Sequence, residues 1–161
     1  MTIFIGVDPG LTGALAFVHL DHGLIGLHDM PTIENDAPTA KGFRKEIDVQ
    51  GLRELIHKTV PAQDTMTAVL ESSGIFGPSV HTTVSIAESR AYTLATLRLM
   101  GIDVRRVTPQ VWKRMYGLSS DKDECLDKAR TIFGTIGFER KRDHNRAEAA
   151  LIAHYGRRMF A

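Results

Sequence analysis

Asp8, Glu71, His144 and Glu148 are the residues of this chain whose types and placement could hold a divalent metal ion. Asp8 ends an apolar run, Ile3-Phe4-Ile5-Gly6-Val7, and Pro9-Gly10 follow it at once. Glu71 ends a second apolar run, Ala68-Val69-Leu70, and Glu148 lies early in a helical segment with His144 one turn before it. A carboxylate at the end of a buried strand is costly unless a cation balances it. Two strand ends and a helix start converging on one point would supply that balance as a metal site.

Each element also has a plainer reading. In Asp8-Pro-Gly-Leu-Thr-Gly the glycines let the backbone turn tightly where a metal or phosphate approaches, but Asp8 could simply cap a hairpin. The same pattern after a first strand occurs in actin-like ATPases and sugar kinases. Glu71 alone could be a solvated strand-end carboxylate. His144 and Glu148, four apart, share a helix face. Ala147, Ala149 and Ala150 are small enough to let that helix lie close on a sheet. Asn145 could add an oxygen, and Asp143 is either a ligand or a helix N-cap.

The elements that must position these groups follow from periodicity and turn signals. Residues 3–7 read as a buried strand. Residues 13–20 and 24–29 read as two more strands joined through Asp21-His22-Gly23. Residues 31–47, with two prolines and Gly42, read as a loop. Asp48 caps a helix over 49–59, and 66–70 form a fourth strand. A loop over 72–79 carries Ile75 and Phe76, and a long helix runs from Val84 to Met100, closed by Gly101. Residues 102–107 form a fifth strand, and Pro109 opens a short helix through Met115. Ser120 or Asp121 caps a helix to Phe133, a basic loop spans 134–142, and the last helix runs from His144 to Arg158. Three meandering strands followed by strand–helix alternation predict an α/β fold, a mixed sheet with helices on both faces.

Length and composition bound the rest. The 161 residues, 43% of them hydrophobic, suit one globular domain over 1–161. No apolar run approaches the roughly 20 residues of a membrane helix, and Asp8 breaks the first run too early for a signal peptide. The single cysteine, Cys125, allows no internal disulfide and suggests the cytoplasm. Residues 1–80 carry five Lys/Arg and ten Asp/Glu, whereas residues 81–161 carry fifteen and nine. A basic half beside an acidic site suits a polyanion, although solvated helix faces explain the same charges. Arg105, Arg106, Lys113, Arg114, Arg140, Lys141, Arg142 and Arg146 flank the proposed site and are candidate phosphate contacts. Trp112 could stack on a base or lie in the core, and Arg157 and Arg158 complement a helix dipole.

Taken together, Ile-Gly-Val-Asp8-Pro-Gly, Val-Leu-Glu71 and Asn-Arg-Ala-Glu148-Ala-Ala-Leu-Ile-Ala resemble the RuvC-type Holliday junction resolvases of the RNase H-like superfamily. Val107-Thr-Pro-Gln-Val-Trp-Lys113, followed by Gly117-Leu118, resembles a segment of the phage and prophage branch. The likeness runs from residue 3 to about residue 155.

The resemblance implies an RNase H-like mixed five-stranded sheet in the order 3-2-1-4-5 with strand 2 antiparallel. It also implies a homodimer that cuts four-way junctions and other branched DNA, and two Mg²⁺ or Mn²⁺ ions. No membrane or small-molecule substrate is expected. Of the family's four acidic ligands, Asp8, Glu71 and Glu148 carry over. The usual aspartate three or four residues before the last carboxylate is replaced by Asn145 and His144, so His144 is the expected fourth ligand and Asp143 its rival. Asp8 would bridge both ions, Glu71 and Glu148 would hold one each, and His144 would ligate or orient the water. Two ions roughly 3.5–4 Å apart would support in-line hydrolysis leaving a 5′ phosphate. Phe76 would be a wedge in the junction or a core residue. The long helix, with Val84, Ile86, Ala91, Leu94, Leu97 and Met100, would form the dimer interface or be a single buried helix. Competing expectations are a nuclease for structured RNA, forks or flaps, and a junction-binding scaffold without activity.

Overall fold

In the computed structural model, which describes residues 2–39, 42–72, 74 and 79–161, five strands form one mixed sheet. β1 (Thr2–Asp8), β2 (Ala14–His19) and β3 (Gly23–Asp29) make the antiparallel meander. β6 (Thr65–Glu71) and β7 (Asp103–Val107) add parallel to β1, giving the order β3-β2-β1-β6-β7. This is the expected order, with the fourth and fifth strands renumbered by an added pair. β1 and β2 read as continuous apolar runs because both faces are covered, and every residue of β2 is buried.

The added pair is a departure from the sequence reading. Residues 31–47 are not a loop: β4 (Thr32–Thr39) and β5 (Gly42–Ile47) form a separate antiparallel ribbon. Pro38 is tolerated opposite Phe43 because each strand of a two-stranded ribbon is an edge, and the register shifts between Glu34 and Pro38. Arg44 of β5 pairs with Glu88 across to the second helix.

Helices cover both faces. α1 (Val49–Thr59) and α2 (Val80–Leu99) lie on one side, where Leu52, Ile56 and Leu97 pack with Ile3, Ile5, Val7, Leu15 and Leu70. α3 (Pro109–Tyr116), α4 (Lys122–Phe133) and α5 (His144–Phe160) lie on the other, packed on Ala14, Ala16, Val69 and Val107. No helix among the described residues is long and apolar enough to cross a membrane. α2 starts at Val80 rather than Val84 because Ser79 caps it, accepting a hydrogen bond from the Thr82 amide at 3.2 Å. A 3₁₀ turn at Lys141–Asp143 leads from the basic loop into α5.

Asp48 caps α1 as expected, accepting from the Gly51 amide at 2.8 Å. Asp48→Ala is expected to lower stability by about 1 kcal/mol, read as a shifted urea midpoint with an unchanged slope.

α5 lies unusually close to the sheet, and both surfaces are trimmed to allow it. A Cβ on Gly6 of β1 would sit 2.0 Å from the Ala149 carbonyl oxygen and 2.3 Å from the Ala153 nitrogen. A Cβ on Gly156 would sit 2.5 Å from Val69 Cγ2. This contact carries Glu148 to the strand ends.

Candidate active site

Asp8 and Glu71 are the last residues of β1 and β6, which run parallel with Val7 opposite Leu70, so their side chains leave the same edge of the sheet. Glu148, in the first turns of α5, comes against that edge. Burial, then the charges of Glu148 and Glu71, push the Asp8 carboxyl up to about 7, against the opposing pull of Lys122 and Lys113. Burial also raises the Glu71 carboxyl, against the hydrogen bond from Trp112, while Glu148 raises it further. Asp8, Glu71 and Glu148 are thus near enough to feel one another's charge.

The cations and donors around them were less visible in the sequence. The Lys113 ammonium donates to Glu148 Oε1 at 3.0 Å, and both side chains are largely covered. Burial disfavours the ammonium, but the bond and charge of Glu148 outweigh it and hold Lys113 above its usual range. The structure thus puts Lys113 among the carboxylates. Trp112 is fully buried, and its indole Nε1–H donates to Glu71 Oε2 at 2.8 Å. The Cys125 thiol lies 3.8 Å from Glu148 Oε1, and burial pushes it up to about 11. Lys122, the first residue of α4, contributes charge at Asp8.

The fourth-ligand candidates separate clearly. Asp143 is buried and its oxygens are taken by Arg140: the backbone amide donates to Oδ2 at 2.8 Å, and Nε and Nη2 donate to Oδ1 at 3.0 and 2.7 Å. That pairing holds the Asp143 carboxyl below its usual range. Asn145 Nδ2 donates to the Thr12 carbonyl at 2.6 Å, tying α5 to the turn after β1. His144 Nδ1 lies 3.2 Å from the Lys141 carbonyl. A carbonyl only accepts, so this contact needs the proton on Nδ1, the tautomer whose Nε2 carries the lone pair that a metal needs. Among the described residues, no three His, Cys, Asp or Glu side chains stand as close together as a filled metal site would require.

The flanking basic residues fall into groups. Arg140, Arg142, Arg146 and Lys122 line a cleft of about 650 Å³ with Thr12 and His144. Within it Arg146 is already bidentate to Asp29, at 2.6 and 2.8 Å. Arg114 lines a second hollow with Lys113, and Lys141 pairs with Asp123 at 3.1 Å. Arg105 and Arg106 are exposed on the edge strand β7, Arg105 bonded to Asp103 at 2.9 Å. Phe76 lies outside the described residues.

No family model matches the chain. It is similar to the crossover junction endodeoxyribonuclease RuvC of Chloroflexus aggregans, 29% identical over 154 residues that cover 93% of this chain and 90% of that protein. RuvC of a Roseiflexus species is also 29% identical over 154 residues, 93% of this chain and 88% of that protein. Among solved structures, Thermus thermophilus RuvC in complex with Holliday junction substrate superposes with a TM-score of 0.69 at 17% identity, covering 99% and 97% of the two chains. A second T. thermophilus RuvC structure gives 0.58 at 16% identity, covering 98% and 96%. The fold is that of these RuvC structures. The likeness to RuvC proteins runs along nearly the whole length of the chain.

Proposed function

We propose that this protein is a metal-dependent endonuclease that resolves Holliday junctions and other branched DNA. The observation that carries this reading is the set Asp8, Glu71 and Glu148 at one sheet edge, where burial and then the charges of Glu148 and Glu71 raise the Asp8 carboxyl to about 7. Such a cluster is under-neutralised by Lys113 and Lys122, and its all-oxygen donors suit hard divalent ions. Mg²⁺ or Mn²⁺, two ions per site, would be held by Asp8, Glu71 and Glu148, with the His144 Nε2 as a further, nitrogen donor. When bound, such ions supply an activated water and neutralise the leaving oxygen.

The chain's own groups do the rest. Lys113 balances Glu148, Trp112 holds Glu71, and the carboxylates exclude any orientation of a phosphodiester that would bring them directly against its oxygens. The cleft of Arg140, Arg142, Arg146 and Lys122 positions phosphates beside the site, with Arg114, Lys141, Arg105 and Arg106 extending the basic surface. None of these contacts specifies sequence.

A homodimer suits a two-fold junction that needs two cuts. α2 supports it: Val80 is 78% and Leu99 88% exposed, whereas Ser89, Thr93 and Thr96 of the same helix are buried. A hollow of about 570 Å³ between α1 and α2, lined by Val49, Leu99 and Met100, adds apolar surface on that face. The cytoplasm is the compartment proposed for a chain whose single cysteine is a free, buried thiol.

The test is cleavage of a labelled synthetic four-way junction against linear duplex of the same sequence, with Mg²⁺ and then Mn²⁺. Paired symmetric nicks confined to the junction are the expected result. Equal cutting of the linear duplex, or preferred cutting of structured RNA or flaps, would replace the resolvase reading with another nuclease. One observation favours an inactive scaffold, namely Asp143 being tied to Arg140. Tight junction binding without cleavage in either metal would establish it.

A further inference from the structure

We infer that Trp112 is a positioning residue for the site: its indole N–H fixes Glu71 in the orientation that receives a divalent ion. This rests on the nuclease reading above. Trp112 makes no contact with substrate in the argument; it acts through Glu71.

Three observations carry the inference. The indole is fully buried in the cluster that contains Val69, Val107, Cys125, Ala147 and Leu151, so its plane cannot drift. A buried indole N–H needs an acceptor, and here the acceptor is a carboxylate oxygen of β6, 41 residues away in sequence, at 2.8 Å. The neighbouring Lys113 binds Glu148 at 3.0 Å, and its ammonium lies 5.2 Å from the indole centroid. Two consecutive residues of one short helix thus address two carboxylates from different elements. The helix itself is fixed at both ends, by Pro109 in its first turn and by Gly117, whose φ of 66° ends it in the left-handed conformation. Groups that hydrogen-bond a metal-binding carboxylate fix its geometry, and their loss typically weakens metal affinity or activity by about 10–100-fold.

Trp112 is the single tryptophan of the chain, so it reports on its own role. In the ¹⁵N-labelled protein, Mg²⁺ is expected to shift the one indole N–H resonance, with a midpoint matching the Mg²⁺ dependence of junction cleavage. Glu71→Gln is expected to abolish that shift. Trp112→Phe, which keeps an aromatic ring but no donor, is expected to raise the Mg²⁺ concentration for half-maximal cleavage by roughly tenfold or more. Its affinity for the junction without divalent ions should match the parent. A folded Trp112→Phe variant with the parent's Mg²⁺ midpoint would overturn the inference, as would an indole resonance indifferent to Mg²⁺ in a parent that cleaves. If Trp112→Phe does not fold, the resonance in the parent and in Glu71→Gln still decides. A parent that neither cleaves junctions nor responds to Mg²⁺ would remove the nuclease reading itself, a different failure from the first two.

Discussion

Asp8→Asn should lose more than roughly 100-fold of junction cleavage, beyond the loss typical of residues that only support a metal ligand, and should at the same time make the metal-free protein more stable. The Asp8 carboxyl lies at about 7 in the fold against 3.8 for an ordinary aspartate. The folded state therefore holds that proton more tightly than the unfolded chain does. The stability that comes with it is complete below about pH 4 and is lost as pH rises through about 7. Asparagine carries no charge at any pH, so its advantage grows across that window and levels off above it. At about 1.4 kcal/mol per pH unit, the ceiling is on the order of 4 kcal/mol. Thermal denaturation in chelator at pH 8 and pH 4 checks this: the variant should melt higher than the parent at pH 8 and together with it near pH 4. An Asn variant with no advantage at pH 8 would mean that the carboxylates do not burden one another as their arrangement requires. Added Mg²⁺ should stabilise the parent and leave the variant behind, because binding to the folded state alone adds to stability.

Gly6→Ala should prevent folding or cost more than about 4 kcal/mol, in the range reserved for a named structural failure. The added methyl would meet backbone atoms of α5, the Ala149 oxygen at 2.0 Å and the Ala153 nitrogen at 2.3 Å, and neither can rotate away. Relief requires lifting the whole helix, which also withdraws Glu148 from the strand ends. Gly10→Ala is the matched control, since its Cβ would meet nothing nearer than the Gly13 nitrogen at 3.9 Å. Urea unfolding of both variants decides the matter. A Gly6→Ala protein within about 1 kcal/mol of the parent would show that the close contact of β1 and α5 is softer than its geometry implies.

The parts of this molecule that were legible in its sequence are those whose cause is local. Asp8 and Glu71 each end an apolar run, and that pattern places a carboxylate at a strand end without knowledge of the partner strand. Glu148 was legible through the small residues beside it. Gly6 was not, because a glycine inside an apolar run gives no sign of which helix will press on it. The β4–β5 ribbon was hidden because Pro31, Pro38 and Gly42 are breakers in any wide sheet and are harmless in a two-stranded one. Trp112 stood between stacking on a base and packing in the core until Glu71 was seen beside it, a contact between residues that no short window joins. Asp143 read as ligand or N-cap; its side chain makes no cap bond to α5, and both its oxygens accept from Arg140, which no pattern in the sequence announced.

The placement of Asp8 on β1 and Glu148 on α5 has a consequence in time. Synthesis proceeds from the N-terminus, and early segments can begin to fold as they emerge. The meander β1–β3 can form from local contacts, but the groove it leaves over Gly6 stays open until α5 has been made and docks there. Until then the carboxylates of Asp8 and Glu71 lack their third partner, and the basic residues around His144 are not yet in place. The same helix that closes the core also brings Glu148 to the strand ends, so core and carboxylate cluster are completed by one docking event.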